Sequence, residues 1–261
     1  MVQINEEKCI GCGLCCNDCP SKVIELKNKK ASINSQSCLR CGHCVAICPV
    51  NAVSIEEYDM SEVEEFGNEQ LHLDQEVLLK SLKSRRSIRK YQNKRVEQEK
   101  IEKIIEAGRY TPTGSNKQDV SYIVVEKDIS ILENEGIKIY KRLVKVSGFI
   151  NRFIKLPIDL KKLNLTEGFL FHGAPALILV ISPNATNAAL ASMSMELMAE
   201  AQGLGTLYVG LFTRVANKNK KIRAFLELKK NEKIVQCIAL GYPAVKYQRT
   251  APRKKADIKW K

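Results

Sequence analysis

Apolar positions are laid out differently in the two ends of the chain. Residues 23–26 and 30–33 are short β-prone runs joined at Asn28, and residues 52–55 supply a third; their length and alternation predict strands. Beyond residue 75 the runs lengthen. Asp74 stands where a helix cap is needed, and Val77, Leu78 and Leu82 share one face of a helix ending near Ser84. Residues 97–107 place Ile101, Ile104 and Ile105 on one stripe, with Gly108 as the predicted stop. Residues 120–125, 176–182 and 234–240 are continuous apolar, β-branched runs bounded by polar, Gly or Pro residues, which predicts central strands. Between the last two, residues 187–202 repeat Leu190, Ser194, Leu197, Met198 and Ala201 at helical spacing and stop at Gly203 and Gly205. Helices and strands in mixed order predict an α+β fold rather than a regular parallel crossover fold. No apolar run approaches the roughly 18 residues of a membrane-spanning helix, and the start lacks a basic then apolar leader. A cytoplasmic protein without a membrane span is expected.

Cysteine usage changes this picture. Nine of the ten cysteines precede residue 49, in Cys9-x2-Cys12-x2-Cys15-x3-Cys19-Pro20 and again, 29 residues on, in Cys38-x2-Cys41-x2-Cys44-x3-Cys48-Pro49. Three thiolates on a tight glycine-bearing loop can face one iron–sulfur cube, while the fourth cysteine of such a run ligates the opposite cluster. The predicted ligand sets are Cys9, Cys12, Cys15 and Cys48 for one [4Fe–4S] cluster, and Cys19, Cys38, Cys41 and Cys44 for the other. Zinc also favours paired cysteines, but it has no need of the whole run twice. Cys16 reads as a small apolar side chain beside the cluster and His43 as a loop residue. Across about residues 1–57 the sequence resembles the bacterial two-cluster ferredoxins, which implies their fold and one-electron transfer.

Charge divides the chain in the same way. Residues 1–75 hold 6 Lys/Arg and 12 Asp/Glu, whereas residues 76–261 hold 36 and 17, within a formal total of +13. Residues 58–75 read as an acidic linker. The excess of basic residues admits nucleic-acid binding, but aromatic residues are only 6% of the chain and no nucleic-acid motif is present, so no nucleic-acid partner is expected.

In the longer module, Arg85-Arg86-Ser87-Ile88-Arg89 clusters guanidinium groups and a hydroxyl after a helix, a set suited to phosphate. Residues 111–118, Thr-Pro-Thr-Gly-Ser-Asn-Lys-Gln, offer small hydroxyl and amide groups to a polar heterocycle. With Gly173-Ala174-Pro175, Gln202-Gly203-Leu204-Gly205 and Gly241-Tyr242-Pro243, these segments resemble the nitroreductase family over about residues 76–261. The resemblance implies a mixed-sheet FMN domain following the ferredoxin-like domain, in a homodimer with flavin at the subunit interface. It implies that Arg85, Arg86, Ser87 and Arg89 surround the ribityl phosphate, and that Pro112, Thr113, Gly114 and Asn116 reach the flavin from the partner subunit. Tyr208-Val209-Gly210 would present backbone to the ring, with Val209 and Gly210 the contacts, and Arg253 and Lys255 would return to the phosphate. Asp119 and Val120 stand where the family often has Pro-Trp, so substrate choice does not carry over. Lys138, Lys141, Arg142, Lys145, Arg152, Lys155, Lys161 and Lys162 form a basic amphipathic stretch, read as helices covering the flavin.

Together the modules predict an iron–sulfur flavoprotein with no protein nucleophile. Electrons from reduced ferredoxin or NAD(P)H would pass through two [4Fe–4S] clusters and FMN to a small organic acceptor such as a nitroaromatic or quinone. A relay that reduces only protein partners is the alternative.

Overall fold

The computed structural model describes residues 1–67, 72–150 and 164–261. The chain forms two compact units: residues 1–72 with 113–117, and residues 73–112 with 118–261.

The first unit is built from the cysteine repeat. Strand β1 (Val2–Ile4) pairs antiparallel with β4 (Val53–Ile55), and β2 (Ile24–Lys27) with β3 (Lys30–Ile33). Asn28 (φ 51°) and Lys29 (φ 61°) both occupy the left-handed region that a two-residue hairpin turn demands. Helix α1 (Leu14–Asp18) and helix α2 (His43–Ala46) each begin after a glycine at φ 77°, Gly13 and Gly42. The 29-residue period extends to the backbone: positive φ recurs at Gly11 and Arg40, and at Lys22 and Asn51. Glycine is obligatory at the first of these, because a Cβ there would lie 2.1 Å from the Lys29 carbonyl oxygen. Val2, Ile24, Ala31, Val53 and Ile55 form the small core with the cysteines.

The second unit is a three-layer sandwich. Its helices and strands are α3 (Gln75–Ser84), α4 (Gln98–Arg109), β5 (Ser121–Val125), α5 (Ile129–Ile150), β6 (Ala176–Ile181), α6 (Ala185–Ala201), β7 (Gly205–Tyr208), α7 (Gly210–Ala216), α8 (Lys220–Phe225) and β8 (Ile234–Gly241). The sheet order is β5-β6-β8-β7, with antiparallel pairing between neighbours among the described residues. Every residue of β6 is buried. Ile178 and Val180 face Ile101, Ile104 and Met195, whereas Leu177, Leu179 and Ile181 join Leu132, Phe171 and Phe212 in the opposite layer. Burial on both faces is why β6 reads as an unbroken apolar run.

Three expectations change. Residues 120–125 form an edge strand, not a central one, and Ser121 and Val124 on it are exposed. Helix α4 runs through Gly108 to Arg109, because this glycine serves packing: a Cβ would meet the Tyr122 hydroxyl at 2.6 Å and Met195 Cγ at 2.9 Å. The apolar stripe of α3 is not buried; Val77 is 67% exposed and Leu82 37%. No described helix is long and apolar enough to cross a membrane.

Candidate functional site

Two cavities in the first unit collect the repeated cysteines. One is lined by Cys9, Cys12, Cys15 and Cys48 with Ala31 and Ala52. The other is lined by Cys19, Cys38, Cys41 and Cys44 with Ile24 and Ile33. Each cavity draws three thiols from one repeat and the fourth from the other. Among the described residues, no three His, Cys, Asp or Glu side chains converge on a point that would hold a single ion. The four thiols of each set line one shared space, the arrangement a polynuclear cluster requires. Cys16 is absent from the lining of either cavity.

Backbone amides point at the sulfurs. Ala31 N donates to Cys9 Sγ (3.4 Å), Ala52 N to Cys48 Sγ (3.2 Å) and Arg40 N to Cys38 Sγ (3.4 Å). The amides of Ala31 and Gly11 hold the Cys9 thiol below its ordinary pKa. Burial, then the adjacent Cys16, pushes Cys15 up to about 11. His43 Nδ1 lies 3.0 Å from Asp18 Oδ2 in an exposed pair.

In the second unit the chain after α3 lies along the outer strand β7. Ile88 N donates to Thr206 O (2.9 Å), so residues 85–89 run beside the strand that leads into Val209 and Gly210. Gly205 permits this approach, since a Cβ there would sit 2.3 Å from Ile88 Cγ1. Tyr91 fixes the far end, donating to Ile88 O (3.0 Å) and Ala239 O (3.3 Å).

Arg85 Nη1 pairs with Glu196 Oε1 at 2.6 Å, and the Glu196 side chain is only 3% exposed. Thr206 Oγ1 donates to the same oxygen at 3.1 Å. Arg86 Nη1 donates to Arg85 O (2.6 Å) and Lys83 O (3.2 Å), but its buried Nη2 has no hydrogen-bond partner among the described residues. A buried guanidinium nitrogen without an acceptor fits an anion bound here. Val209 is buried and donates to Cys237 O (2.8 Å), while a Cβ on Gly210 would meet open space. That leaves room for a flat ligand against the backbone.

Arg85, Arg86, Ser87 and Arg89 lie on the segment beside β7, the strand that leads into Val209 and Gly210, but Thr113, Gly114 and Asn116 pack within the cysteine unit. Arg253 donates only to its own neighbour, Pro252 O (3.3 Å), among the described residues, and Lys255 is exposed. Asp119 has a local structural role, accepting from Asn187 Nδ2 (2.7 Å) at the start of α6. Of the basic stretch, Lys138, Lys141, Arg142 and Lys145 lie on α5; Arg152, Lys155, Lys161 and Lys162 lie outside the described residues. Sequence reasoning missed Glu196, although a carboxylate in a helix of Ala, Met and Leu is itself a signal that a cation must meet it.

Comparison with known proteins places these features in a family. Residues 82–242 match the nitroreductase family, and residues 1–49 match a 4Fe-4S dicluster domain. A Bacillus subtilis protein named FMN reductase [NAD(P)H] is 30% identical over 172 residues, covering 64% of this chain and 66% of its own. A Bacteroides fragilis nitroreductase solved with bound FMN aligns with TM-score 0.56 at 22% identity, over 70% of this chain and 98% of that one. A Desulfitobacterium hafniense nitroreductase with bound FMN gives 0.55 at 21% identity, over 69% and 97%. The chain belongs to the nitroreductase family and is an oxidoreductase that carries a 4Fe-4S dicluster domain.

Proposed function

We propose that the protein binds two [4Fe–4S] clusters and FMN, and passes electrons from reduced ferredoxin or NAD(P)H to a small organic acceptor such as a nitroaromatic or quinone. The observation that carries this reading is the crossed lining of the two cysteine cavities in a chain of the nitroreductase family. Cys9, Cys12, Cys15 and Cys48 would hold one cluster, and Cys19, Cys38, Cys41 and Cys44 the other. Arg85, Arg86, Ser87 and Arg89 would hold the FMN phosphate, with Val209 and Gly210 against the ring and Arg253 and Lys255 closing over the phosphate. Pro112, Thr113, Gly114 and Asn116 would reach the flavin of a second copy.

FMN supplies the step between one-electron carriers and a two-electron acceptor. The chain's own contribution is to bind and orient. Arg86 offers its unpartnered Nη2 to the phosphate, Glu196 fixes the Arg85 guanidinium, and positive charge around the site favours a reduced, anionic ring. A homodimer accounts for two apolar surfaces that the single chain leaves open: Val77 and Leu82 on α3, and Leu190 and Met193 on α6.

Anaerobically purified protein is expected to carry about eight irons and about one FMN per chain. An Arg85→Ala/Ser87→Ala variant should lose most of its FMN and keep its iron. Zinc in place of iron would overturn the cluster assignment, and unchanged FMN content in that variant would overturn the phosphate assignment. Anaerobic reduction by each donor, followed by a panel of acceptors, distinguishes turnover of a small molecule from a protein-only relay.

A further inference from the structure

The two cysteine repeats are alike in backbone but are covered by different parts of the chain. The turn between Cys9 and Cys12 is packed by the unit's own hairpin: Gly11 lies against the Lys29 carbonyl, and Lys30 Nζ donates to Cys9 O at 2.6 Å. The equivalent turn between Cys38 and Cys41 is covered by residues 113–117, a segment flanked in sequence on both sides by the second unit. Asn116 Nδ2 donates to Arg40 O (2.9 Å) and lies 3.3 Å from both Leu39 O and the Tyr58 hydroxyl. Tyr58 in turn donates to Arg40 O (3.1 Å). Leu39 and Arg40 are the two residues between the cysteines, and the Arg40 amide is the donor to Cys38 Sγ.

We propose that the cluster held by Cys19, Cys38, Cys41 and Cys44 is the one that exchanges electrons with the flavin, and that Asn116 is a positioning residue for that exchange. This rests on the reading above, in which residues 112–116 flank a flavin. The same short segment then serves two cofactors: it hydrogen-bonds the turn of one cluster and lies at the ring. Its backbone is specialised for the purpose. Ser115 (φ 54°), Asn116 (φ 51°) and Gln118 (φ 46°) are non-glycine residues in the left-handed region, a conformation that residues other than glycine and asparagine rarely adopt. Such strain persists only where surrounding contacts over-determine it, and the Asn116 amide supplies them. Each exchange moves one electron from the reduced cluster to the flavin. Two exchanges, with two protons from water and the low-potential one-electron donor proposed above, complete the flavin's reduction.

The test uses the anaerobic holoprotein with EPR-monitored redox titration and rapid-mixing reduction by dithionite. Asn116→Asp keeps the shape and the tolerance of positive φ but removes the donor; Asn116→Ala removes both. Each variant should shift the midpoint potential of one cluster and slow flavin reduction about tenfold or more, with iron content unchanged. A tenfold change in a one-electron equilibrium corresponds to about 59 mV. Lys30→Ala, on the other turn, should shift the other midpoint. If wild-type protein binds no FMN, or its flavin is not reduced through the clusters, the underlying reading fails. If it is so reduced, and both Asn116 variants leave both midpoints and the rate unchanged, this inference alone is overturned.

Discussion

A single carboxylate shows how closely stability and ligand binding are joined in the second unit. Glu196 is buried in α6 and is held by Arg85 and Thr206. Removing one partner of a buried pair strands the other, an effect of about 3–5 kcal/mol. Arg85 keeps 26% of its side chain exposed, so Glu196→Ala should cost about 3 kcal/mol, at the low end of that range. Glu196→Gln, which retains an acceptor oxygen, should cost less. Chemical denaturation of the anaerobic holoprotein checks both, and equal midpoints for wild type and Glu196→Ala would refute the pairing. Because Arg85 is also expected at the FMN phosphate, the carboxylate that stabilises the fold presets the guanidinium for its ligand.

At the scale of elements, the turn entering β6 carries a pH dependence. Glu133 on α5 accepts from Leu170 N (2.8 Å) and Phe171 N (3.3 Å), holding a turn in which His172 sits at φ 55°. Burial, then the positive charge of Arg89, lowers the His172 pKa from its ordinary 6.5. A group whose folded pKa lies below its unfolded value contributes stability that is complete above the unfolded value and fades as pH falls through the folded one. Wild-type protein should therefore lose more thermal stability between about pH 7.5 and about pH 5.5 than His172→Asn, since Asn tolerates the left-handed backbone. Identical losses would contradict the assignment.

The elements legible in the sequence were those with a local cause. Asp74 caps α3 as its spacing predicts, accepting from Val77 N (2.8 Å), and β6 and β8 follow from apolar runs long enough to be unmistakable. Strands β1 and β7, three and four residues long, carry too little alternation to be read, and exist because β4 and β8 pair with them. Gly108 misleads as a stop signal because its reason is a neighbouring helix, not its own chain ends. The α3 stripe is a true amphipathic pattern that the described residues leave open, and a second copy of the chain is proposed to cover it.

At the scale of the molecule, the cysteine runs and the charge division mark two modules from sequence alone. The membership of residues 113–117 in the first unit was not legible, because it is set by tertiary hydrogen bonds to Leu39 and Arg40, some 75 residues away in the chain. The crossed cysteine cavities have a consequence for assembly. With the proposed ligand sets neither repeat would own a complete set, so filling one cavity would fix residues from both repeats and order the other cavity as well; binding and folding would share one free energy. Iron uptake should thus be cooperative. Native mass spectrometry of protein reconstituted with about half its iron is expected to show mainly empty and fully loaded chains, and a dominant four-iron species would refute this. Under iron scarcity such cooperativity would give a divided population, in which the number of complete molecules falls while each survivor keeps the whole of the proposed relay.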